Sequence, residues 1–379
     1  MSVDTRMGRA TAGKAAVLAE DRPEVEAWEA LVAALRTAGE RLAADTEGLD
    51  ERERADGFRA LARGLHNQLA RWEVDREAPE LVPFNGWRQK FFMDNPDFRY
   101  WVADIADDRC YRITGAPGAA VYASITVYAG SGMAAEAVAR LDGDELRYDD
   151  SGAFTVVLGG EKPAEGNWLP LPEKANIVWV RYFHDGGTED GEGWCAIERL
   201  GPAAPPPPSI EPARFAHRLH RLAQTVSFLP AAFAAAAAAD LARPNEIRHW
   251  SEMTAGAVYT EPGIHYLRGG WELAPGEALV LEGDVVPCRY WNILLYSRFL
   301  NSLDHRHRPV SRTGGTATVK DGRYRFVLAA EDPGPEAGDW LDTEGRPSGI
   351  VVLRWLRPER EPGLPSVRRC RVADLRGEK

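Results

Sequence analysis

The chain lacks the features that mark several common classes of protein. It has no long run of Lys or Arg and its formal net charge is −11, so neither nucleic acid nor an anionic membrane surface is an expected partner. Its N-terminal residues contain no apolar stretch long enough for a signal peptide, and the apolar run 229–242 is too short to span a bilayer. We therefore expect a cytoplasmic protein without a membrane partner.

Cysteines and catalytic sequence motifs are equally scarce. The 379 residues include only four cysteines, none at metal-ligand spacing, so we expect reduced thiols. The sequence contains no G-x-S-x-G, G-x-x-x-x-G-K-[ST] or H-E-x-x-H motif, and no G-x-G-x-x-G after a strand. Serine-hydrolase and nucleotide-binding chemistry are therefore disfavoured, and no cofactor or metal is expected.

Three helices are predicted from apolar spacing and capping signals. Apolar residues recur at helical spacing from Glu24 to Ala44, and a second helix is expected to begin after Asp50, an N-cap residue with Glu53 three positions later. The short polar loop between them favours a helical hairpin. A long third helix, roughly 211–242, follows four consecutive prolines that mark a domain boundary.

Two β-rich stretches of the chain resemble each other. The run 152–158 is followed by Trp168 ten residues after Leu158, and the run 322–328 is followed by Trp340 twelve residues after Leu328. Each stretch then has a strand that ends in a similar tripeptide, Val180-Arg181-Tyr182 in the first and Leu353-Arg354-Trp355 in the second. Because order and spacing both agree, we infer two copies of one β-fold.

The predicted fold is mainly β with helical additions, of the α+β class. It comprises two tandem related antiparallel β-sandwich domains of jelly-roll type, an N-terminal helical hairpin and a long interdomain helix. The expected segments are a loose leader (1–22), the hairpin (23–80), the first sandwich (81–202), the proline-rich linker with its helix (203–245) and the second sandwich (246–379).

The second copy resembles a bacterial family, the domain of unknown function 1214. The resemblance rests on the runs 276–280, 288–292, 332–334, 340–343 and 354–355. The upstream runs 94–100 and 166–172 are similar to longer members that also carry a sister domain, 1254. The resemblance covers roughly 80–357 and implies a β-sandwich, but it implies no reaction.

Ionisable residues are concentrated in the second copy, which we therefore expect to carry the function. Asp342, Asp332 and Asp304 are the candidate catalytic carboxylates, because paired carboxylates can act as general acid and base. Arg289 could orient an anionic substrate or hold a developing negative charge. The structural alternative is that the aspartates cap their own loops, since Asp-Pro-Gly is an ordinary turn sequence.

Five further residues are candidates for substrate binding, with the aromatic side chains as pocket walls. They are Trp291, Trp340, Tyr290, His305 and Arg354. Packing of Trp340 in the core is the alternative, because Trp168 occupies the same repeat position.

Two loops could hold ligands but have simpler interpretations. His305 and His307 with Asp304 or Asp332 could form a two-histidine, one-carboxylate metal set, but Arg306 beside them would repel a cation. The loop 94–100 could supply oxygen ligands, although an Asx turn before a strand is the preferred interpretation.

Three functional hypotheses remain open. The preferred one is an enzyme that uses acid–base carboxylates of the second sandwich on a small organic, lipid-like or glycan substrate. The alternatives are a non-catalytic binding protein for a glycan or apolar metabolite, and a structural or assembly subunit. A small molecule is thus the expected partner, and homo-oligomerisation is left open.

Overall fold

The structure is a computed structural model that describes residues 22–73, 75–186, 191–202, 209–251 and 256–376. Residues 1–21 of the expected leader and the run 203–208, which contains the four prolines, lie outside the described residues. The described residues divide into two compact units, one within 1–72 and 205–234 and the other within 73–204 and 235–379.

The first unit is helical. Helices α1 (Pro23–Asp45) and α2 (Glu51–Leu69) form where the apolar spacing predicts them. The predicted N-cap is confirmed, because the Asp50 carboxylate accepts a hydrogen bond from the Glu53 backbone nitrogen at 2.9 Å.

Helix α3 (Pro212–Leu241) begins in the first unit and ends in the second. Its length and mean hydropathy would suit a membrane span, a test that core helices of soluble proteins also pass, and 44% of its most apolar window is buried. The presence of this helix is therefore only weak evidence for a membrane span.

The second unit contains two tandem β-sandwiches. The strands of the first are β1 (Val82–Pro83), β2 (Phe98–Asp104), β3 (Cys110–Ala116), β4 (Tyr122–Ala129), β5 (Glu136–Asp142), β6 (Phe154–Leu158), β7 (Asn167–Leu169), β8 (Ala175–Phe183) and β9 (Trp194–Leu200). Those of the second are β10 (Arg248–His249), β11 (Ile264–Glu272), β12 (Glu277–Asp284), β13 (Tyr290–Tyr296), β14 (Ser311–Thr313), β15 (Val319–Lys320), β16 (Arg323–Ala329), β17 (Asp339–Asp342), β18 (Ser348–Leu356) and β19 (Ser366–Arg371). The short helix α4 (Val372–Leu375) follows β19.

The strand orders of the two sandwiches correspond. Sheet A has the order β1-β2-β8-β4-β5 and sheet C the order β10-β11-β18-β13-β14, while sheet B (β7-β6-β3-β9) corresponds to sheet D (β15-β16-β12-β19, with β17 on β16). Neighbouring strands are antiparallel except for the pairs β6–β7 and β16–β17, which are parallel in both copies. The predicted tandem sandwich fold is confirmed.

Each sandwich has its own apolar core, built by the alternation of side chains along the strands. In β8, Val178, Val180 and Tyr182 are buried in the first core, which also takes Ile113 of sheet B. Arg181 lies between Val180 and Tyr182 and therefore projects from the other face of sheet A. A charged side chain that points away from the core in this way would normally be exposed to solvent, yet Arg181 is only 1% exposed.

Candidate functional site at the seam between the sandwiches

Sheet A contributes a buried polar row to the seam between the two sandwiches. Arg181, in the central strand β8, lies opposite Tyr100 of β2 and Ser124 of β4. Its guanidinium donates a hydrogen bond to the Tyr128 hydroxyl at 3.0 Å and lies 4.7 Å from the centre of the Trp179 ring. This cation is thus held by phenols and an indole of its own sheet.

Sheet C contributes the equivalent row. Arg354, in the central strand β18, lies opposite Tyr266 of β11 and Asn292 of β13. Its guanidinium donates to the Tyr296 hydroxyl at 2.7 Å, and Arg354 is 3% exposed. The internal repeat therefore places one buried arginine with one tyrosine partner in each copy.

The loops before β2 and β11 join the two rows across the seam. Met93 and Tyr259 are each five residues before these strands, and both have positive φ values, 60° and 61°. Such a conformation is uncommon for residues other than glycine. Each presents a backbone oxygen to the seam: the Arg181 guanidinium donates to the oxygen of Tyr259 at 2.5 Å, and the Tyr296 hydroxyl donates to the oxygen of Met93 at 3.4 Å.

The first half-site, defined by Arg181, Tyr128, Ser124, Arg140 and Glu261, contains paired charges. The Glu261 carboxylate, contributed by the second sandwich, lies 3.1 Å from the Arg181 guanidinium and 2.7 Å from that of Arg140. It also accepts a hydrogen bond from Ser124 at 2.8 Å. Every charge in this half-site therefore has a direct counter-ion, and the arrangement joins the sandwiches.

Further ion pairs continue from the first half-site toward the surface. Arg140 donates to Asp142 at 2.7 Å, and Arg357 of the second sandwich pairs with both Asp142 and Asp144. Arg289 pairs with Asp144 as well. Arg289, predicted to orient a substrate, thus contacts a carboxylate of the first sandwich at the exposed edge of this network.

The second half-site, defined by Arg354, Tyr296, Asn292, Asn95, Asp97 and Tyr290, is arranged differently. Asn95 takes the position that corresponds to Glu261, three residues before the first residue of a paired strand, so a neutral amide replaces the carboxylate. In the described part of the chain no carboxylate lies within 4.0 Å of the Arg354 guanidinium. Instead, Arg354 donates a long hydrogen bond of 3.5 Å to the Asn292 side-chain oxygen.

Asp97 is the carboxylate of the second half-site. It accepts hydrogen bonds from the Asn292 side-chain nitrogen at 2.9 Å and from the Tyr290 hydroxyl at 3.1 Å. Its other contacts in the described residues include no arginine or lysine within 4.0 Å. The Asn292 amide thus separates Asp97 from Arg354, so the two charges are bridged and not directly paired.

The environment raises the pKa of Asp97 and of Tyr290 in the second half-site. Burial raises the pKa of Asp97, and the charge of Asp185 adds to the rise. Hydrogen bonds from Asn292 and Tyr290 and the charge of Arg354 oppose it. Burial also raises the pKa of Tyr290 well above its ordinary value. Asp97 is therefore better able to hold a proton than an exposed aspartate, while Tyr290 stays a neutral donor.

His184 lies beside Asp97, and Arg99 lies close to His184. The His184 backbone nitrogen donates to the Asp97 backbone oxygen at 2.9 Å, and Asp97 itself is partly exposed. Burial lowers the pKa of His184, as does the charge of Arg99, so its ring is neutral near neutral pH. Neither ring nitrogen makes a hydrogen bond within 3.5 Å in the described residues, although the Glu192 backbone is close enough to oppose the fall in pKa.

The three candidate catalytic aspartates lie in their own loops. Asp332 accepts a hydrogen bond from the backbone nitrogen of Gly334 at 2.8 Å, and Asp304 accepts from the backbone and ring nitrogens of His307. Asp342 is 3% exposed and pairs with Arg308 at 2.6 Å. Asp304 and Asp342 are linked through Glu344, whose carboxylate accepts from the Asp304 backbone nitrogen at 2.7 Å and whose backbone nitrogen donates to Asp342 at 2.7 Å. Among the described residues no direct hydrogen bond or ion pair joins the three aspartates to one another or to Arg289, so a catalytic role for the four stays a prediction.

The structure separates the candidate binding residues. Trp291 packs in the core of the second sandwich, 5.8 Å from the Tyr324 ring, and the half-buried Trp340 donates its indole hydrogen bond to the Ala329 backbone at 3.0 Å. His305 stacks edge-on against Trp87, and burial lowers its pKa to about 4. Only Tyr290 and Arg354 lie in one half-site.

A metal centre at the histidine loop finds no support in the geometry. Among the described residues, no group of three or more His, Cys, Asp or Glu side chains is placed to hold a metal ion. The His307 ring nitrogen contacts Asp304 at 3.0 Å, and the guanidinium of Arg306 lies over the Trp87 ring. This loop is a solvated turn packed on an aromatic residue.

Sequence reasoning did not select Asp97 as a candidate catalytic residue. The loop 94–100 was interpreted as an Asx turn, and that turn is present, because the Asn95 side-chain oxygen accepts from the Asp97 backbone nitrogen at 3.1 Å. The same turn places the Asp97 carboxylate against Tyr290 and Asn292 of the second sandwich. The repeat could have indicated the site, because it aligns Arg181 with Arg354. It also aligns Glu261, which pairs with Arg181, with the neutral Asn95.

The fold and the seam define a tandem β-sandwich protein whose two copies face each other through related but unequal polar half-sites. Residues 102–185 and 273–360 both match the model of one family, described as protein of unknown function (DUF1214). The resemblance predicted for the second copy is therefore confirmed and extends to the first. The upstream region matches this same family, and a sister 1254 domain is not shown.

One solved structure supports the fold. A crystal structure of an uncharacterised protein from Burkholderia cenocepacia is 28% identical, with a TM-score of 0.85, and the match covers 92% of this chain and 97% of that one. The VPA0106 protein from Vibrio parahaemolyticus is 11% identical, with a TM-score of 0.46 and coverages of 82% and 97%. No curated protein matches the chain.

Proposed function

We propose that the protein is an enzyme that acts on a small organic substrate by proton transfer in the second half-site. Asp97 is the general acid or base, and Tyr290 and Asn292 orient its carboxylate. Arg354 stabilises negative charge that develops on the substrate. This proposal keeps the acid–base chemistry expected from the sequence but moves it from the loop aspartates of the second sandwich to the seam.

One observation carries the proposal: the Asp97 carboxylate is held by a phenol and an amide, whereas its counterpart Glu261 is held by two arginines. The two ion pairs and the bond from Ser124 commit the Glu261 oxygens to holding the sandwiches together. A carboxylate bound by neutral donors in a buried setting has a raised pKa, and this is the direction that a general acid or base requires.

The location of Asp97 also suits a reaction better than the loops do. Asp97 is partly exposed, and the buried rings of Phe98 and Tyr290 lie beside it. The ring centres of Phe98 and Tyr290 are 5.2 Å apart. Asp332 and Asp304, in contrast, use their oxygens to stabilise turns.

Exchange of carbon-bound hydrogen in D2O tests this proposal without knowledge of the natural substrate. A panel of small ketones, esters and keto acids is incubated with the protein, and deuterium uptake is followed by proton NMR. We expect the protein to catalyse exchange in at least one class of compound, and Asp97→Asn to slow it about 100-fold or more. The matched control is Asp284→Asn, at an exposed carboxylate paired with Arg323 at 3.2 Å.

Two results would contradict the proposal. Equal exchange rates for the wild type and Asp97→Asn would show that Asp97 carries no proton in the reaction. An absence of exchange across the whole panel, with the folded protein confirmed by circular dichroism, would favour the non-catalytic alternatives.

A further inference from the structure

The helical unit exposes many of its large apolar side chains. Among the described residues, twelve large apolar side chains are exposed and seven of them lie in this unit, although it is much the smaller of the two. Single exposed apolar residues are normal on a protein surface, whereas a contiguous apolar face marks an interaction site. The exposed apolar residues of α1 and α2 belong to one such face.

This hairpin face consists of two apolar stripes at helical spacing. Its residues are Val25, Trp28, Val32 and Leu35 on α1, with Phe58, Leu65 and Leu69 on α2. The stripes adjoin, because a Cβ atom added to Gly39, four residues after Leu35, would lie 3.7 Å from a ring carbon of Phe58. Trp28 is 55% exposed and Phe58 is 45% exposed, so the face is open to solvent.

The buried side of α2 is more polar than the hairpin face. Glu53, Asp56 and Asn67 are at most 4% exposed, whereas Leu69 is 47% exposed. A helix of a globular protein ordinarily turns its most apolar stripe inward. The reversed arrangement in α2 indicates that its apolar stripe is kept for a contact outside the helical unit.

Helix α3 does not cover the hairpin face. It lies beside another side of α1, where Ala33 and Thr37 line a groove together with Gln224 of α3. Ala33 is five residues after Trp28, which places the two side chains on different sides of the helix. The hairpin face is therefore available to a partner.

The charges of the two helices complement each other. Helix α1 contains five Asp and Glu residues and two arginines, which gives a net charge of −3. Helix α2 contains three Asp and Glu residues, two of them buried, and four arginines, which gives a net charge of +1. A two-fold axis parallel to the helices would place α1 of each copy on α2 of the other, so that opposite charges meet on both sides of the axis.

The apolar area of the face suits a dimer. A fully buried aromatic side chain covers about 150–250 Å², so Trp28 and Phe58, each about half exposed, leave roughly 100 Å² apiece to be covered. Two copies then contribute about 400 Å² from these rings alone, which is about a quarter of the roughly 1,600 Å² buried in a standard interface. Tryptophan is also among the residues that contribute most to binding at interfaces.

We infer that two copies of the chain associate through the hairpin face and form an antiparallel four-helix bundle around Trp28 and Phe58. In this bundle, α1 has two antiparallel neighbours, α2 of its own chain and α2 of the second copy. The inference is independent of the proposed reaction, because the hairpin face and the second half-site belong to different units.

Sedimentation velocity of the full chain over a range of micromolar concentrations tests the inference. We expect the wild type to have twice the mass of one chain. Trp28→Glu places a charge within the face of both copies, and we expect it to weaken self-association about 100-fold or more. Leu69→Glu changes the other helix of the same face and is expected to act in the same direction.

Trp194→Glu is the matched control, because Trp194 is 52% exposed on β9, outside the helical unit, and we expect this variant to remain dimeric. Circular dichroism establishes that each variant is folded. A monomeric wild type would overturn the inference, as would Trp28→Glu and Leu69→Glu variants that associate as the wild type does. Binding of a monomeric wild type to vesicles of phosphatidylcholine and phosphatidylglycerol would assign the face to a lipid surface instead.

Discussion

Substitution of Glu261 by Gln tests how the two sandwiches are held together. Glu261 is 2% exposed and its carboxylate contacts two arginines and one hydroxyl, so the amide would leave Arg181 buried without a counter-ion. Removing one partner of a buried ion pair costs about 3–5 kcal/mol. For a unit of this size each kcal/mol lowers Tm by about 2–4 °C, so we expect a fall of roughly 10 °C.

The free energy of unfolding is measured by urea titration with tryptophan fluorescence as the signal. Glu282→Gln is the matched control, because Glu282 pairs with Arg325 at 2.9 Å where both side chains are about one-third exposed. A surface pair of this kind contributes about 0–1 kcal/mol. A loss for Glu261→Gln no larger than that of the control would refute the idea that this half-site stabilises the seam.

Two further substitutions report on the second sandwich and on the seam. The pKa of Asp97 is higher in the folded protein than in the unfolded chain, where it has the ordinary value of about 3.9. The free energy of unfolding therefore falls as pH rises above about 3.9, because Asp97 ionises more easily in the unfolded chain. Asp97→Asn should therefore gain stability relative to the wild type between pH 4 and 8 in urea titrations, and a constant difference across this range would contradict the raised pKa. Asp342→Asn should lower stability by about 1–3 kcal/mol, because it removes the charged partner of Arg308. If Asp342→Asn instead left the unfolding free energy unchanged and abolished deuterium exchange, Asp342 would be catalytic, as the sequence suggested.

Local sequence patterns predicted the individual elements well. The apolar spacing and the Asp50 cap predicted α1 and α2, and the β-branched run 154–158 coincides with β6. These elements follow from side-chain periodicity and capping, which act over a few residues. The repeat also predicted that the two sandwiches share one topology, because the order of strands and turns agrees and their spacing is similar.

The candidate site was predicted only in part. Tyr290 and Arg354 were identified, because they lie in motifs that carry the family resemblance. Asp332 and Asp304 were selected because ionisable residues are concentrated in the second copy, but such residues often stabilise turns. No pattern in the sequence indicated that Asp97 contacts Tyr290 and Asn292, which lie nearly 200 positions later in the chain.

The sequence by itself therefore determined the elements, the repeat and the presence of one arginine in each central strand. Tertiary structure decided which face of each sheet is covered, and so which arginine receives a carboxylate. Glu261 and Asn95 occupy equivalent positions in the repeat, yet their roles depend on the opposite sandwich that each one meets. The physical reason is that side-chain periodicity is local, whereas the pairing of buried charges depends on contacts between distant parts of the chain.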